Sequence, residues 1–368
     1  MSVKSKFYEL IDSGLKGSNQ GLSLGLPKLE TYIDGYLPGT SYLIAAQSGV
    51  GKSTFMLYTL VFKPLIDYLS NKYEVDRDPY WIMFNLEMTP EQIYAKLVSM
   101  YIYETFGEQM TYKEMFSRGK GEKLSASRYE MIKQCDEFLD ILDKRLIFHD
   151  GTLTAEKYYK HVLNDLKLFG TFNEDIYIPN NPHQIIGIII DHLSLVRASS
   201  GKSKKDEMDL ISAYSVGFRN KCKIVSPIHI MQFNRNANGQ ERIKQGLQEP
   251  DASDFKDSAA MYEDSQVVMA LHSPIKFKLT KYRKYNITAL AQNFVACILL
   301  KTRFGTSDIA VGLGFYGDCS TYKELPKGEE ITDYEIYKTP NWSLLDYKQQ
   351  EDAIDNTEMS SSKMTLTL

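Results

Sequence analysis

The sequence predicts an α/β fold in which a mostly parallel central sheet is flanked by helices. Short apolar runs bounded by turn residues alternate with helical stretches, a pattern typical of a parallel sheet that is covered on both faces. These runs occupy residues 42–46, 80–86, 145–149, 185–190, 228–233, 267–271 and 296–300. A glycine-rich turn separates the first run from a helical stretch, as in a phosphate-binding loop. Sheets of this kind bind ligands beyond the carboxyl ends of their strands.

The composition is that of an ordinary globular protein. The chain has 368 residues, of which 43% are apolar, so it can bury a large core. No apolar run approaches the ~20 residues that span a bilayer, and the first residues lack the apolar stretch of a signal peptide, so we expect a cytoplasmic protein without a membrane partner. A net charge of -4 means that any site for a polyanion must be local. The cysteines lack the paired spacing of a disulfide framework or a zinc site: Cys135, Cys222, Cys297 and Cys319.

The first residues of the chain are predicted to form a short amphipathic helix. Residues 5–15 place four apolar side chains on one helical stripe, namely Phe7, Leu10, Ile11 and Leu15. A helix this short is not stable alone, so its stripe must dock on another surface. We therefore divide the chain into a linker helix and linker at 1–20, a main α/β domain at 21–336 with a mainly helical stretch at 89–144, and a polar, partly disordered tail at 337–368.

The glycine-rich turn is predicted to bind a nucleoside triphosphate, ATP, together with Mg²⁺. Backbone N–H groups of such a loop point at phosphate oxygens, and the following helix adds its positive dipole. Lys52 would neutralise the outer phosphates, and Ser53 would supply an oxygen to the metal. A chance Gly-Lys-Ser turn is the alternative. The predicted binding residues are Ala46, Gln47, Ser48, Gly49, Val50, Gly51, Lys52, Ser53 and Thr54.

Two carboxylates follow other apolar runs. Asp191 ends the run that begins at residue 185, and we predict that it is the second metal ligand, although an Asp there could also cap the next helix. Glu87 follows the run 80–86 and could align the attacking water as a catalytic base. It could equally be a first-turn acid that interacts with the dipole of the helix after Thr89.

With these three segments in order, the sequence resembles the DnaB-type replicative helicases, which are ring-forming, superfamily 4 relatives of RecA. The resemblance covers about residues 21–314 and implies a RecA-like P-loop NTPase core. Beyond the phosphate-binding loop, the segments that carry the resemblance are 84–88, 190–195, 226–235, 250–259, 263–268 and 301–305.

The resemblance implies further site residues. Gln232 would sense the outer phosphate, although it also suits a core amide with its hydrogen bonds satisfied. Lys301 and Arg303 would reach the nucleotide site of the neighbouring subunit, with Arg303 as the arginine finger. On sequence physics alone, Arg303 is a solvated turn charge.

DNA contacts are expected in two loops, 197–206 and 235–259, that could line the channel of a ring, although both also suit flexible solvated loops. In the second loop Lys256 takes the place of an Arg of the family, Asp257 of a Glu and Ala259 of a Gly, and Arg235 adds a charge. The basic and aromatic segment 273–286 is not covered by the resemblance. It suits a second nucleic-acid patch or an amphipathic insertion with a solvated basic face.

The resemblance thus implies a homo-hexameric, ATP-driven helicase that moves along single-stranded DNA with 5′ to 3′ polarity during replication. The alternatives are a RecA-like, DNA-dependent ATPase without unwinding activity and a hydrolysis-poor interaction or loading module. A primase or a loader is a possible partner. Only about twenty residues precede the predicted motor, whereas cellular family members carry a large helical domain there, which suggests a virus-encoded helicase acting in the host cytoplasm.

Overall fold

The computed structural model of the protein describes residues 2–15, 19–70, 77–120, 123–174, 176–233 and 249–342, without the side chains of Lys256 and Asp257. Its strands are β1 (Tyr42–Ala46), β2 (Asp78–Asn85), β3 (Leu146–Asp150), β4 (Gly170–Asn173), β5 (Ile176–Pro179), β6 (Gln184–Asp191), β7 (Val225–Gln232), β8 (Val267–His272), β9 (Lys281–Tyr282), β10 (Tyr285–Asn286), β11 (Phe294–Thr302), β12 (Ile309–Tyr316) and β13 (Thr321–Glu324).

The α-helices are α1 (Val3–Leu15), α2 (Pro27–Glu30), α3 (Lys52–Leu57), α4 (Lys63–Leu69), α5 (Pro90–Phe106), α6 (Tyr112–Met115), α7 (Ala126–Lys133), α8 (Asp136–Arg145), α9 (Ala155–Phe169), α10 (Lys204–Lys221), α11 (Ala259–Asp264) and α12 (Ile287–Leu290). A π-helical stretch, Tyr58–Phe62, joins α3 to α4. The prediction of a mainly helical stretch at 89–144 is therefore confirmed.

Within the described ranges, nine strands form one sheet in the order β13-β12-β11-β8-β1-β7-β6-β2-β3. The strands from β8 to β3 pair in parallel, whereas β11, β12 and β13 are antiparallel. The predicted α/β fold with a mostly parallel sheet is confirmed. Because β1 lies between β7 and β8, its carboxyl end is at the centre of the sheet.

The sheet is covered on both faces because its central strands are apolar on both. Every residue of β6 is buried. Ile186, Ile188 and Ile190 pack in the layer that contains α9 and α10, whereas Ile185 and Ile189 pack in the layer of α3, α5 and α8. Successive side chains of a strand point to opposite faces, so a continuous apolar run is needed to bury both.

Two strands of the sheet were not predicted from the sequence, β12 and β13. Glycines interrupt the apolar run of β12, and the structure shows why they are there. A Cβ on Gly312 would lie 2.5 Å from the hydroxyl of Tyr285, and one on Gly314 would lie 2.5 Å from the hydroxyl of Tyr316. The close approach of these tyrosines therefore excludes larger side chains.

The end regions of the chain differ in their packing. No residue of α1 is buried in the described part of the protein, so the predicted apolar stripe is exposed. The predicted polar tail begins at residue 337, yet Tyr337 and Trp342 are buried in the core, and residues 343–368 lie outside the description. No helix among the described residues is long and apolar enough to cross a membrane.

The segment 273–286 contains a 3₁₀ turn at Pro274–Phe277 and the two-residue strands β9 and β10. Tyr282 and Tyr285 are buried, whereas the lysines of the segment are exposed. This arrangement favours the interpretation as an insertion with a solvated basic face.

Candidate nucleotide-binding site

The predicted phosphate-binding loop leaves the carboxyl end of β1 at the centre of the sheet. Gly49 and Gly51 have φ angles of 70° and 90°, in the left-handed region that favours glycine. The helix α3 begins at Lys52, directly after the second of these turns. The loop therefore has the strand, turn and helix that a phosphate cradle requires, with a helix that begins directly after the turn. A cavity of about 660 Å³ opens beside Gly49 and Val50.

Carboxylates from two other strands meet this loop. Asp191 is the last residue of β6, and it pairs in register with Asn85 at the end of β2. Glu87 lies two residues after Asn85, and its Oε2 lies 3.9 Å from the Nζ of Lys52. The same oxygen lies 3.6 Å from Nε2 of the buried His192, which follows Asp191 through a cis peptide bond. The structure thus brings together Lys52, Ser53, Glu87 and Asp191.

Burial dominates the electrostatics of Asp191. The pKa of its carboxyl is raised to about 6, although a hydrogen bond from Ser53 and the charge of Lys52 act in the opposite direction. Its Oδ1 atom is buried and has no hydrogen-bond partner among the described residues. A buried carboxylate with a free oxygen costs free energy unless a cation or a donor reaches it.

These groups fit Mg²⁺, which prefers oxygen ligands and usually keeps waters and substrate phosphates in its shell. Asp191 and the hydroxyl of Ser53 would supply the protein oxygens. In the part of the chain that the structure describes, no group of three or more His, Cys, Asp or Glu side chains could hold a metal alone. The four cysteines are free and buried, as the sequence indicated.

Gln232 lies beside the loop. It is the last residue of β7 and pairs in register with Ala46, and the next residue, Phe233, donates its N–H to the Ala46 carbonyl at 3.1 Å. The Gln232 side chain is half-buried. Its position therefore allows contact with a ligand that is bound by the loop.

Lys301 and Arg303 lie at the opposite edge of the sheet. They are found at the carboxyl end of β11, which is antiparallel to β8, so they meet the beginning of β8 rather than its end. The N–H of Arg303 donates to the Gln266 carbonyl, and Gln266 in turn donates to Ser41, the residue before β1. Across the five residues of β1 this is a separation of about 15 Å from the phosphate-binding loop. Neither side chain reaches the predicted phosphate-binding loop of its own chain.

Lys301 is held by backbone hydrogen bonds, whereas Arg303 is exposed. Lys301 donates from Nζ to the carbonyls of Tyr262 and Glu263, at 2.9 and 2.7 Å. The exposed Arg303 lies close enough to Arg219 that its charge lowers the pKa of that group, after the larger effect of burial.

The predicted DNA contacts are only partly covered by the structure. Arg235 lies outside the described residues, as do the side chains of Lys256 and Asp257. The backbone of 252–258 forms 3₁₀ turns that are interrupted by a kink at Phe255, and Ala259 begins α11. Phe255 anchors this segment, because it is buried against Phe233 at the end of β7.

A lysine near the site was missed in the sequence. Nζ of Lys96 donates to Oγ1 of Thr54 at 2.9 Å, and the nearby charge of Asp191 partly offsets the lowering of its pKa by burial. The signal was present, since Lys96 shares the helical stripe of α5 with the buried Ile93 and Met100. A lysine on a buried stripe indicates a paired charge.

Comparison with known proteins finds a similar protein family. Residues 176–324 match the profile of the DnaB-like helicase C-terminal domain. Over these residues the chain is similar to a DnaB-like helicase C-terminal domain. The match includes Asp191, Gln232, Lys301 and Arg303, whereas the phosphate-binding loop and Glu87 precede it.

Two curated relatives of this chain are replicative DNA helicases. The replicative DNA helicase DnaB of Helicobacter pylori is 24% identical over 275 residues, which are 73% of this chain and 48% of that protein. DnaB of Mycoplasma pneumoniae is 24% identical over 323 residues, which are 86% of this chain and 59% of that protein. The chain thus spans about half the length of these curated relatives. Both relatives are bacterial, so the comparisons do not bear out the suggestion of a viral source.

Solved structures agree on the fold of the chain, which is RecA-like. One solved ATPase domain has a TM-score of 0.66 at 16% identity and covers 88% of this chain and 99% of that one. A DnaB-like replicative helicase, solved for its interactions with primase, has a TM-score of 0.62 at 17% identity. It covers 88% of this chain and 68% of that one.

Proposed function

We propose that the protein is an ATP-dependent, hexameric DNA helicase that translocates on single-stranded DNA and unwinds duplex during replication. The observation that carries the proposal is the meeting of Lys52, Glu87 and Asp191 around one phosphate-binding loop, with Glu87 3.9 Å from Lys52. A cation for phosphate, an acid for metal and a second acid for water are the groups that triphosphate hydrolysis needs.

Each group of the site would have a separate task. The loop residues 46–54 would bind ATP, with Lys52 on the outer phosphates. Asp191 and Ser53 would hold Mg²⁺, which when bound neutralises charge that develops on the phosphates. Glu87 is half-exposed and could accept a proton from the attacking water, held between Lys52 and His192 until nucleotide binds. Gln232 would report the state of the outer phosphate to the segment that follows β7.

Arg303 would act on the nucleotide of a neighbouring subunit. Its position at the far edge of the sheet supports this role, because it cannot reach its own loop across the length of β1. Lys301 would position this turn through its two backbone contacts. An arginine supplied across an interface couples hydrolysis to assembly, which is why a ring is part of the proposal.

Two apolar surfaces further support assembly. The stripe of α1 is exposed, with Phe7 at 59% and Leu10 at 62% of their accessible areas. A cleft of about 510 Å³ between α5 and α8 is lined largely by apolar side chains, among them Tyr94, Val98, Met115, Phe116, Leu139 and Phe148. We propose that α1 of one copy docks in this cleft of the next.

Single-stranded DNA would run past the loops that follow β6 and β7. The side chains of Lys202, Lys204 and Lys205 are exposed beyond β6, on the carboxyl side of the sheet. Arg235, Lys256, Asp257 and Ala259 are the proposed contacts beyond β7. A primase or a loader is a proposed partner, as in the structural relative that was solved for its interactions with primase.

A forked-duplex unwinding assay tests the proposal. The full chain, with ATP and Mg²⁺, should displace the labelled strand, and Lys52→Ala should not. ATP hydrolysis stimulated by single strands without displacement would reject the helicase in favour of a DNA-dependent ATPase. Nucleotide binding without hydrolysis would favour the interaction or loading module.

A further inference from the structure

The phosphate-binding loop is contacted by two side chains from the last third of the chain. Nζ of Lys276 donates to the carbonyl of Ser48, and the hydroxyl of Tyr322 donates to the carbonyl of Gly51 at 3.0 Å. The two donors are separated from their acceptors by 228 and 271 residues. Both contacts are made to carbonyl oxygens, so the N–H groups of the loop stay available for phosphate.

Tyr322 is a rigid donor. It lies in β13, is fully buried, and packs with its ring stacked on Phe315 at 4.7 Å and edge-on to Phe55 at 5.3 Å. Burial raises the pKa of its hydroxyl, which keeps the proton that it donates. A Cβ on Gly51 would lie 2.3 Å from this hydroxyl, so the contact also requires glycine at that position.

Lys276 is an exposed donor on a turn that is anchored by a buried residue. It belongs to the 3₁₀ turn that follows β8, the strand next to β1, and the preceding Pro274 is buried. Because Leu271 of β8 pairs in register with Ala46, this turn emerges directly beside the loop. Its Nζ lies 3.1 Å from the position that a Cβ on Gly49 would occupy.

We propose that Lys276 and Tyr322 are positioning residues that hold the phosphate-binding loop in its phosphate-accepting shape before nucleotide arrives. Gly49 and Gly51 have left-handed φ angles, and glycine is the residue that loses most conformational freedom when such angles are fixed. The donors act at opposite ends of this stretch. The inference rests on the proposed function only in requiring that the loop binds a nucleotide.

The proposal separates affinity from turnover. Both contacts are made to the backbone of the loop and not to the site of the outer phosphate, so ADP and ATP should be affected equally. Once nucleotide is bound, its phosphates hold the loop, so the maximal rate of hydrolysis should not change. A loop fixed in advance spares the ligand the cost of ordering it.

The test is isothermal titration of the full chain with ADP and with a non-hydrolysable ATP analogue, together with steady-state hydrolysis. Lys276→Met should weaken both affinities about threefold to tenfold and raise KM by the same factor, with kcat unchanged. Lys276→Arg should restore most of the loss, because it keeps the charge and the donor. Tyr322→Phe should weaken both affinities about twofold to fivefold.

Matched controls separate positioning from damage to the fold. Lys278→Met removes an exposed lysine from the end of the same turn and should bind as the original chain does. Tyr285→Phe removes a hydroxyl that donates to the Pro326 carbonyl, away from the loop, and measures the loss of a comparable hydrogen bond.

Unchanged affinities in Lys276→Met and Tyr322→Phe would overturn the inference and leave the proposed function intact. A loss confined to the ATP analogue would also overturn it, because Lys276 would then contact the outer phosphate. If the original chain bound neither nucleotide, the proposed function and this inference would fail together.

Discussion

At the scale of the residue, the site depends on three charged groups whose environments differ. Lys52 and Asp191 are buried, whereas the Glu87 side chain is half-exposed. Burial suits the groups that would hold phosphate and metal, because a low dielectric strengthens their interaction. Exposure suits a group that must meet water. The proposed division of roles therefore follows from where each side chain lies.

Glu87→Gln should bind ATP with affinity close to that of the original chain and hydrolyse it about 10²- to 10⁴-fold more slowly. The amide keeps the shape of the side chain but is a far weaker base. Binding by titration and turnover by phosphate release measure the two effects. Glu156→Gln, an exposed change on α9, is the control. A large loss of affinity in Glu87→Gln would show that this side chain contributes to binding instead.

Asp191 should make the stability of the metal-free protein dependent on pH. Its pKa is about 6 in the folded protein against an ordinary value of 3.8. Between these values the folded state binds more protons than the unfolded state, so the free energy of unfolding falls as pH rises from about 4 to 6. Above about pH 6 the buried charge costs at most about 3 kcal/mol.

Asp191→Asn should remove this cost. With a chelator present, the variant should melt at a temperature a few degrees higher than the original chain at pH 7.5, and the difference should vanish below pH 4. Thermal unfolding followed by circular dichroism across this range measures it. Asp140→Asn, an exposed change on α8, should show no such trend. A pH-independent difference would mean that burial of charge is not the cause.

At the scale of the element, the ends of strands carry the residues of the candidate site, and the helix α1 would form the contact between subunits. Polar residues end or closely follow β1, β2, β6 and β7 at one edge of the sheet, because parallel strands end on the same side. The antiparallel β11 returns the chain to the other edge, where Lys301 and Arg303 lie. Because β11 runs in the opposite direction, the residues around the loop and the proposed arginine finger lie at opposite edges of the sheet.

Removing residues 1–20 should raise the concentration that is needed for oligomer formation at least tenfold, because the apolar stripe of α1 would no longer dock. Sedimentation velocity over a range of concentrations measures this. In the full chain, Leu10→Asp should have the same effect, whereas Asp12→Asn should not, because it leaves the apolar side chains in place. An unchanged oligomer in both the truncation and Leu10→Asp would remove α1 from the interface.

At the scale of the whole molecule, the proposed ring can be tested by mixing inactive chains. In equal mixtures of Arg303→Ala and Glu87→Gln chains, about a quarter of the boundaries would combine an intact Glu87 with an intact Arg303. Hydrolysis should therefore recover to about a quarter of the original rate. A finger that acted within its own chain would restore nothing, because each chain lacks one group.

Subunit exchange needs its own control. Fluorescence energy transfer should appear when Arg303→Ala chains that carry a donor dye are mixed with Glu87→Gln chains that carry an acceptor dye, because mixed oligomers bring the two dyes together. If exchange is demonstrated in this way and the mixture of the two variants stays inactive, Arg303 does not act across the boundary.

The sequence by itself determined the local features of this protein. Apolar runs that end in a polar residue predicted the parallel strands and placed Glu87, Asp191 and Gln232 at strand ends. A buried strand requires apolar residues and the turn after it requires polar ones, so both can be recognised from neighbouring residues. The phosphate-binding loop was equally local, because its glycines, lysine and serine are contiguous. The apolar run of β12 is interrupted by glycines and lacks this pattern, so that strand was not predicted.

Only the tertiary structure decided which distant segments meet. It placed β7 between β1 and β6, set Lys301 and Arg303 at the edge away from the loop, and brought Lys276 and Tyr322 onto loop carbonyls. Contacts over more than two hundred residues depend on the order in which strands pair. That order is chosen by the burial of the whole core, and no single segment of the sequence encodes it.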